Sequence, residues 1–279
     1  MDAAQERNSK PATAARIWDY ILGGVHNFPA DQEAARKIIA EVPQIPAIAR
    51  ANRAVLGRMV SYLVANGVRQ FLDIGSGMPT ESNVHEVAQA LGPDARVVYV
   101  DIDPVAVSES LEILDGNKLA TALQGNLQAP QAILEDPQVR EMLDFDQPIA
   151  LLLMAVLHFI PDDAQAYGAV SQLVDSLAPG SYLALTHAAI ETMSHTGANE
   201  DSYDRVEDLY NQKTATPFGP RTWEQTSKFF ERATLVDPGL VWFSQWRPTE
   251  GATDFADDPR RSGGWAGLGL IDKPKPANG

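Results

Sequence analysis

A strand that runs into a glycine turn, followed after a helix by a second strand that ends on an acid, is the feature that most constrains the fold. Residues 71–80 read FLDIGSGMPT, and the apolar run 97–100 is followed directly by Asp101. In an α/β sheet, glycines such as Gly75 and Gly77 let the backbone come close to an adenosine-containing ligand, because a Cβ there would collide with it. The acid then accepts hydrogen bonds from the ribose hydroxyls. The two segments therefore predict a ligand site at the carboxyl edge of a parallel sheet.

The spacing within the turn discriminates between cofactors. A dinucleotide fingerprint, G-x-G-x-x-G, needs its third glycine where this chain has Thr80, which disfavours NAD or FAD and an oxidoreductase. Asp73 precedes Gly75 by two residues, and the order Asp-x-Gly-x-Gly resembles motif I of the class I S-adenosylmethionine (SAM) methyltransferases. In that family the first acid helps to organise the site around the methionine end of SAM. Pro79 departs from the motif, which often has a glycine there.

The amino-acid composition disfavours several classes of binding partner. The 279 residues include 22 basic and 37 acidic side chains, a net charge of −15, which repels phosphate backbones and disfavours nucleic acid. Cysteine is absent, which excludes disulfides and thiolate metal sites. The longest apolar run, 149–157, is far short of the roughly 18 residues that cross a bilayer. With no signal-peptide pattern in the first residues, we expect a cytoplasmic protein with no membrane partner. The sequence leaves open whether it is a monomer or a homodimer.

The hydrophobic pattern predicts a doubly wound α/β fold with a mostly parallel, seven-stranded sheet behind an N-terminal helical module. Residues 1–65 contain three helical segments and form the module, and residues 66–279 form the Rossmann-like domain. Residues 199–231 are expected to be helical in two pieces. Strands are predicted at 71–74, 97–100, 121–124, 149–154 and 181–186, and an antiparallel hairpin is predicted from 234–243 and 265–271.

The chain also resembles a known family over roughly residues 12–270. Six segments come in a fixed order: WDYILGGVHNFPAD, ARANRAVLGRMVSYL, RQFLDIGSGMPTESNVHEVAQ, ARVVYVDIDP, PIALLLMAVLHFIPDD and APGSYLALTH. Together they resemble an actinobacterial family of S-adenosyl methyltransferases, formerly a domain of unknown function. The resemblance implies the class I methyltransferase fold and SAM as cofactor, but no particular methyl acceptor. We expect a small-molecule acceptor. A non-catalytic SAM-binding regulator on the same fold is the alternative.

Candidate cofactor-binding residues follow the predicted strands. Asp101 is preferred to Asp103 for the ribose, because Asp103 is explained as the N-cap of the next helix. The resemblance puts adenine beside the residues after the third strand, where the family often has an acid in place of Asn126. It puts the methionine end of SAM near the end of the fourth strand. The full set is Asp73, Gly75, Ser76, Gly77, Asp101, Ile102, Asn126, Leu127 and Ala155.

One histidine is a candidate for catalysis. His158 lies just past the fourth predicted strand, where a general base could take a proton from an acceptor hydroxyl or amine. The alternative is a packed histidine bonded to the backbone. His187, at the end of the fifth strand, has a similar but weaker case. The five histidines lack the i, i+4 spacing with a nearby acid that a helical zinc motif needs, so no metal site is predicted.

The segment around two adjacent glycines needs its own explanation. We expect Tyr20, Asn27 and Phe28 to form a lid that closes over SAM and shapes the acceptor site, with Gly23 and Gly24 as its hinge. The alternative is a helix C-cap followed by a packing turn. Arg16, Arg50 and Arg53 are candidates to hold the SAM carboxylate or to pair with nearby acids, and the sequence does not choose between them.

Overall fold

A mixed β-sheet organises the chain. The computed structural model describes residues 11–79, 82–192, 205–206, 208, 217–252 and 254–272. The sheet order is β3-β2-β1-β4-β5-β8-β6, and β7 also pairs with β8. The first five strands run parallel, and β8 runs antiparallel to its neighbours. The strands are β1 (Gln70–Ile74), β2 (Arg96–Asp101), β3 (Ala120–Gln124), β4 (Ala150–Met154), β5 (Ser181–Ala188), β6 (Thr234–Leu235), β7 (Val241–Trp242) and β8 (Gly264–Ile271).

Helices cover the sheet and precede it. The predicted α/β fold with a mostly parallel sheet is confirmed. None of the helices that the structure describes has the length and apolar character needed to cross a membrane. Short 3-10 turns follow several strands. The helices are α1 (Ala14–Ile21), α2 (Pro29–Glu41), α3 (Ile45–Ala65), α4 (Val84–Leu91), α5 (Pro104–Ile113), α6 (Pro130–Glu135), α7 (Pro137–Met142), α8 (Asp163–Ser176) and α9 (Trp223–Ser227).

The central strands are buried on both faces, as a parallel sheet between two helical layers requires. Every residue of β1 and β4 is buried. Side chains alternate between two apolar clusters, so that Leu151 and Leu153 pack on one face while Leu152 packs on the other. Their positions are fixed by the parallel register with β1 and β5. The polar residues that follow these strands therefore emerge at one edge of the sheet.

The N-terminal helices pack in two ways. α1 and α2 supply most of a small apolar cluster, which includes Ile17 and Ile38 and is joined by Ala49 of α3. α3 instead lies on the sheet, where Val55 and Met59 share a cluster with Phe71 of β1. The long helix thus links the first two helices to the sheet. The boundary between residues 65 and 66 stays a prediction.

The predicted closing hairpin is present, with one strand divided. The segment 234–243 pairs antiparallel with β8 as two short strands, β6 and β7, so the sheet has eight strands where seven were predicted. Pro238 and Gly239 lie between them. Proline has no N–H to donate to a ladder, and Gly239 has a φ of +88°, so pairing is interrupted there.

Most of the predicted helical region 199–231 falls outside the described residues. In the part that the structure describes, 217–222 is not helical, and Arg221 pairs with Ala189 through an isolated bridge. Helix is present at 205–206 and 208 and again in α9, which is followed by a 3-10 turn at Lys228–Phe230. A capping box of Thr222 and Gln225 stands at the start of α9. The prediction was wrong for 217–222 because the backbone of this stretch bonds to His158 and Ala188 instead of to itself, and the Arg221 side chain adds bonds to the loop after β4.

Candidate active site

A cavity of about 440 Å³ lies at the carboxyl edge of the sheet. This volume falls within the roughly 300–1,000 Å³ typical of small-molecule sites. Its wall is formed by the ends of β1 to β4 and by residues of α1 and α3. All nine residues predicted to bind the cofactor line it, although binding itself stays a prediction. They are Asp73, Gly75, Ser76, Gly77, Asp101, Ile102, Asn126, Leu127 and Ala155.

The two glycines of the turn have different reasons to be glycine. Gly75 has a φ of +75°, and a Cβ there would overlap the side chain of Val156 in the loop after β4. Gly77 has a φ of +70° with open space around it, so only its backbone conformation calls for glycine. Gly75 N–H donates to Val100 O at 2.7 Å, which ties the turn to β2. The protein's own packing therefore requires Gly75, in addition to any ligand.

Asp101 is the better placed of the two acids after β2. Its Oδ2 accepts a hydrogen bond from Gly77 N at 2.7 Å and its Oδ1 accepts one from Asp103 N at 2.8 Å. Each carboxylate oxygen keeps a further lone pair for a ribose hydroxyl. Asp103 is engaged elsewhere, because it caps α5 through Val105 N and accepts hydrogen bonds from Thr13 and Arg16. This geometry supports the preference for Asp101.

Asp73 is a buried carboxylate without a hydrogen bond inside the described part of the chain. It is only 4% exposed and lines the cavity. Its pKa is raised to about 7, mainly by burial; the positive charge of Arg53 opposes this rise, and the negative charge of Asp101 adds to it. A buried carboxyl group left without a partner is costly, and it is a common mark of a ligand site. Arg53 of α3 also lines the cavity, whereas Arg50 is exposed and Arg16 is held by other acids.

The residues predicted to lie near adenine, which follow β2 and β3, form one side of the cavity wall. Asn126 Oδ1 accepts a hydrogen bond from Gln128 N at 2.9 Å, which closes a turn after β3. Ile102 is 55% exposed although it is aliphatic. Gly125 allows this turn to pass close to β2, because a Cβ there would meet Val100. An exposed aliphatic side chain beside a turn amide offers a planar base both an apolar face and a hydrogen bond.

His158 and His187 have different surroundings. His158 lines the cavity, and its Nδ1 has no partner in the described residues. Burial lowers its pKa well below the usual value, with His187 and Arg221 adding to the effect. The His187 ring is occupied on both sides, since Nδ1–H donates to Ala188 O at 2.8 Å and Nε2 accepts from Arg221 at 2.9 Å. Burial lowers the His187 pKa to about 3. His187 is thus a packed histidine, and the candidate for catalysis remains His158.

Arg221 fixes the backbone that carries His158. Its guanidinium is 2% exposed and donates to Leu157 O at 3.1 Å and to Ile160 O at 2.7 Å. It also pairs with Asp163 at 2.8 Å. Arg221 comes some 60 residues after the strand that it supports, so no local pattern in the sequence indicated this role.

The segment predicted as a lid does not line the cavity with the expected side chains. Tyr20, Asn27 and Phe28 lie outside its wall, and α1 contributes Trp18 and Asp19 in their place. Asp19 Oδ2 accepts hydrogen bonds from the backbone N–H of His26 and the side chain of Asn27. A Cβ on Gly24 would overlap Asp19 Oδ1, so this glycine lets the loop close over the acid. A lid function for Tyr20, Asn27 and Phe28 stays a prediction.

A buried ion network joins the N-terminal helices to the cofactor site. Arg16 is 2% exposed and contacts Asp31 at 2.9 Å and Asp103 at 2.7 Å. Asp31 also accepts hydrogen bonds from Thr13 N and Phe28 N. Because Asp103 N donates a hydrogen bond to Asp101, the network is directly connected to the residue predicted to bind the ribose.

Sequence reasoning missed several polar residues of the wall, of which Asn52 is the one on α3. Asn52 lies between Ile48 and Val55 in the buried stripe of α3, is 4% exposed and lines the cavity. A polar residue inside an apolar stripe was the signal that could have found it.

Comparison with known proteins identifies the family. The family model described as S-adenosyl methyltransferase matches residues 2–272. The chain is similar to a proposed methyltransferase from Thermobifida fusca YX, with 36% identity, a TM-score of 0.84 and coverage of 98% of this chain and 97% of that one. It is also similar to a DUF574 family protein from Streptomyces avermitilis MA-4680, with 35% identity, a TM-score of 0.87 and coverage of 95% and 99%.

More distant similarity concerns the fold. The CMeT domain of the citrinin polyketide synthase has 14% identity and a TM-score of 0.54, with coverage of 92% of this chain and 60% of that chain. None of the curated proteins matches the chain. The family match spans nearly the whole sequence, and the residues around the cavity fit the cofactor that the family uses. The chain therefore belongs to the S-adenosyl methyltransferase family, has the class I methyltransferase fold and uses SAM as its cofactor.

Proposed function

We propose that the protein transfers the methyl group of SAM to a small-molecule acceptor. One observation carries this proposal: Asp73, a buried carboxylate without a hydrogen bond among the described residues, faces the same cavity as the glycine turn and Asp101. A net charge of −15 makes a phosphate-rich acceptor unfavourable. The non-catalytic alternative has no supporting observation in the part of the chain that the structure describes.

The wall residues divide between the two ends of the cofactor. Asp73 and Arg53 offer opposite charges for the ammonium and carboxylate of the methionine end. Asp101 would accept the ribose hydroxyls, and Ile102 and Asn126 would hold adenine. Leu127 adds apolar contact, while Ser76, Gly77 and Ala155 contribute backbone at the turn and after β4.

The protein's part in catalysis is to align and to exclude water. Bound SAM supplies an electrophilic methyl group on a positively charged sulfur. The cavity wall then has to hold the acceptor atom about 3–3.5 Å from that carbon, in line with the bond that breaks. His158 is neutral near pH 7 because burial lowers its pKa, so its ring can accept a proton or a hydrogen bond from an acceptor.

We include residues 1–65 in the proposal as a module that closes the cavity, ahead of a Rossmann-like domain of residues 66–279. Trp18 and Asp19 of α1 form part of the wall, and Arg16 ties α1 to Asp103. A truncated protein lacking residues 1–35 is expected to lose affinity for S-adenosylhomocysteine. Unchanged affinity in a product with native circular dichroism would refute this role. Cytoplasmic location and a homodimer stay predictions.

Calorimetric titration tests the function. SAM and S-adenosylhomocysteine are expected to bind the wild-type protein, and NAD is not. Asp101→Ala should weaken SAM binding by about tenfold or more, because charge-assisted hydrogen bonds contribute about 1.5–3 kcal/mol. Exposed Asp115 supplies a matched control, and Asp115→Asn should leave affinity unchanged. Normal SAM affinity in Asp101→Ala would remove the ribose assignment, and no SAM binding by the wild type would remove the function.

A further inference from the structure

A second, smaller cavity adjoins the cofactor cavity. Its volume is about 70 Å³, and four residues line both cavities: Trp18, Asn52, Ala155 and His158. The rest of its wall is mainly aliphatic and aromatic, with contributions from the end of β5 and from α2 and α3. No Asp, Glu, Lys or Arg lines this cavity within the described part of the chain. Prominent members of the apolar wall are Ile38, Ile45, Ile48, Phe218 and Phe243.

Asn52 presents an unused donor at the shared wall. Thr186 Oγ1 accepts a hydrogen bond from Ala155 N at 2.9 Å and donates one to Asn52 Oδ1 at 2.7 Å. This fixes the amide orientation, and the Asn52 NH₂ group has no partner among the residues described. Asn52 is only 4% exposed. The amide N–H groups are therefore available to a ligand atom that accepts a hydrogen bond in either cavity.

His158 presents an unused ring on the same wall. It is 6% exposed, and neither of its ring nitrogens has a hydrogen-bond partner in the described ranges. Its ring contacts are aromatic, with centroids 4.4 Å from Phe159 and 5.1 Å from Phe218. Its backbone is held firmly, because Gly219 N donates to His158 O at 2.7 Å. The shared wall therefore offers one donor and one acceptor on an otherwise apolar surface.

We propose that the second cavity is the methyl-acceptor subsite, and that the acceptor is a small, neutral aromatic molecule methylated on a hydroxyl group. This inference rests on the proposed methyltransferase function. A hydroxyl group complements the wall, because it can accept from the Asn52 amide while it donates to the His158 ring. A charged acceptor would have to bury its charge in a cavity where none of the described lining residues carries an opposite charge, which is strongly unfavourable.

The volume of the second cavity determines how the acceptor is oriented in it. A closed apolar cavity of about 150 Å³ holds benzene. The second cavity, of about 70 Å³, is smaller than this, so an aromatic acceptor with its hydroxyl group has to occupy part of the adjoining cofactor cavity as well. The hydroxyl group is then the part of the acceptor that faces the methyl donor. The aromatic rings of Phe218 and Phe243 also line the cavity, where edge-to-face contacts with the acceptor ring are favourable.

The chemistry balances without a further reactant. The acceptor oxygen bonds to the methyl carbon while the sulfur–carbon bond breaks and leaves its electron pair on sulfur. The hydroxyl proton passes to a ring nitrogen of His158 and from there to solvent. The positive charge lost from sulfur thus leaves as a proton, and the products are an aryl methyl ether and S-adenosylhomocysteine.

The test uses four probes with the wild-type protein saturated with S-adenosylhomocysteine. p-Cresol carries the ring and the hydroxyl, toluene lacks the hydroxyl, and tyramine and 4-hydroxybenzoate add a positive or a negative charge. Calorimetry is expected to show p-cresol binding at least about tenfold more tightly than each of the other three. With SAM in place of S-adenosylhomocysteine, mass spectrometry should detect 4-methylanisole.

A cavity-filling variant provides the structural control. Ala188 lines only the second cavity of the two, so Ala188→Leu should abolish p-cresol binding and leave affinity for S-adenosylhomocysteine unchanged. Ala164→Leu, at an exposed position, should leave both unchanged. If S-adenosylhomocysteine binds but p-cresol does not, or if toluene or a charged probe binds as tightly, this inference is overturned and the methyltransferase function stands. If S-adenosylhomocysteine itself does not bind, the proposed function fails first. The wild-type probe series decides the matter even if Ala188→Leu does not fold.

Discussion

The unpaired carboxyl of Asp73 makes SAM affinity dependent on pH. With a pKa of about 7 in the free protein, about half of the Asp73 side chains are ionised at pH 7.0 and about a tenth at pH 6.0. Only the ionised form attracts the SAM ammonium, which stays protonated across this range because α-amino groups have a pKa of about 7.7–8.0. Affinity for SAM should therefore fall about fivefold from pH 7.0 to pH 6.0, equivalent to about 1 kcal/mol.

The sign follows from which form binds. Burial raises the pKa of Asp73, so lowering the pH through 7 adds a proton that the cationic ligand must displace. His158 and His187 do not interfere, because burial lowers both of their pKa values. Isothermal titration calorimetry in two buffers of different ionisation enthalpy measures the affinity and the proton released.

Two variants, Asp73→Asn and Asp115→Asn, test whether the Asp73 carboxyl group causes the pH dependence. Asp73→Asn should bind SAM about tenfold or more weakly at pH 7.0, and its affinity should change less than about twofold down to pH 6.0. Asp115→Asn removes an exposed carboxyl and should keep the fivefold slope. The reasoning is refuted if Asp73→Asn retains that slope, or if the wild-type affinity does not change between the two pH values.

Two further predictions concern stability. Gly75→Ala should lower the free energy of unfolding by about 2–3 kcal/mol, and Gly77→Ala should lower it by about 1 kcal/mol. Both variants force alanine into a positive φ, but only Gly75→Ala also displaces Val156. Equal losses of stability in urea denaturation would contradict this explanation. Arg16→Met should cost about 3–5 kcal/mol by leaving buried carboxylates unpaired, whereas Lys37→Met, which breaks an exposed pair, should cost less than about 1 kcal/mol. Thermal and urea unfolding of the two variants side by side gives the comparison, and a small loss for Arg16→Met would count against the network.

Strand ends were predictable because their signals are local. The apolar runs and the glycine turn placed Asp73 and Asp101 on the cavity wall, where the structure has them. A parallel sheet brings the carboxyl ends of its strands to one edge, so no knowledge of distant contacts was needed.

Helical contributions to the site were harder to predict, because the face that a helix turns toward the sheet depends on tertiary packing. Arg53 could only be named with two other arginines, and Asn52 was missed, although both lie on the wall. Asn27 was expected beside the cofactor but is occupied by Asp19. The loop's own hydrogen bonds explain its unusual composition without a ligand.

The hydrogen bonds that Arg221 makes to residues some 60 positions earlier have a consequence for folding during synthesis. Its guanidinium binds carbonyls at positions 157 and 160, and β8 must pair with β5 to complete the sheet. Contacts between segments far apart in sequence form late, because the intervening chain has to be ordered first. While the chain is being synthesised, β4 leaves the ribosome before Arg221 does. Until Arg221 has also emerged, the loop that bears His158 lacks the hydrogen bonds that support it. Cofactor capture is therefore expected to begin only when most of the chain has left the ribosome.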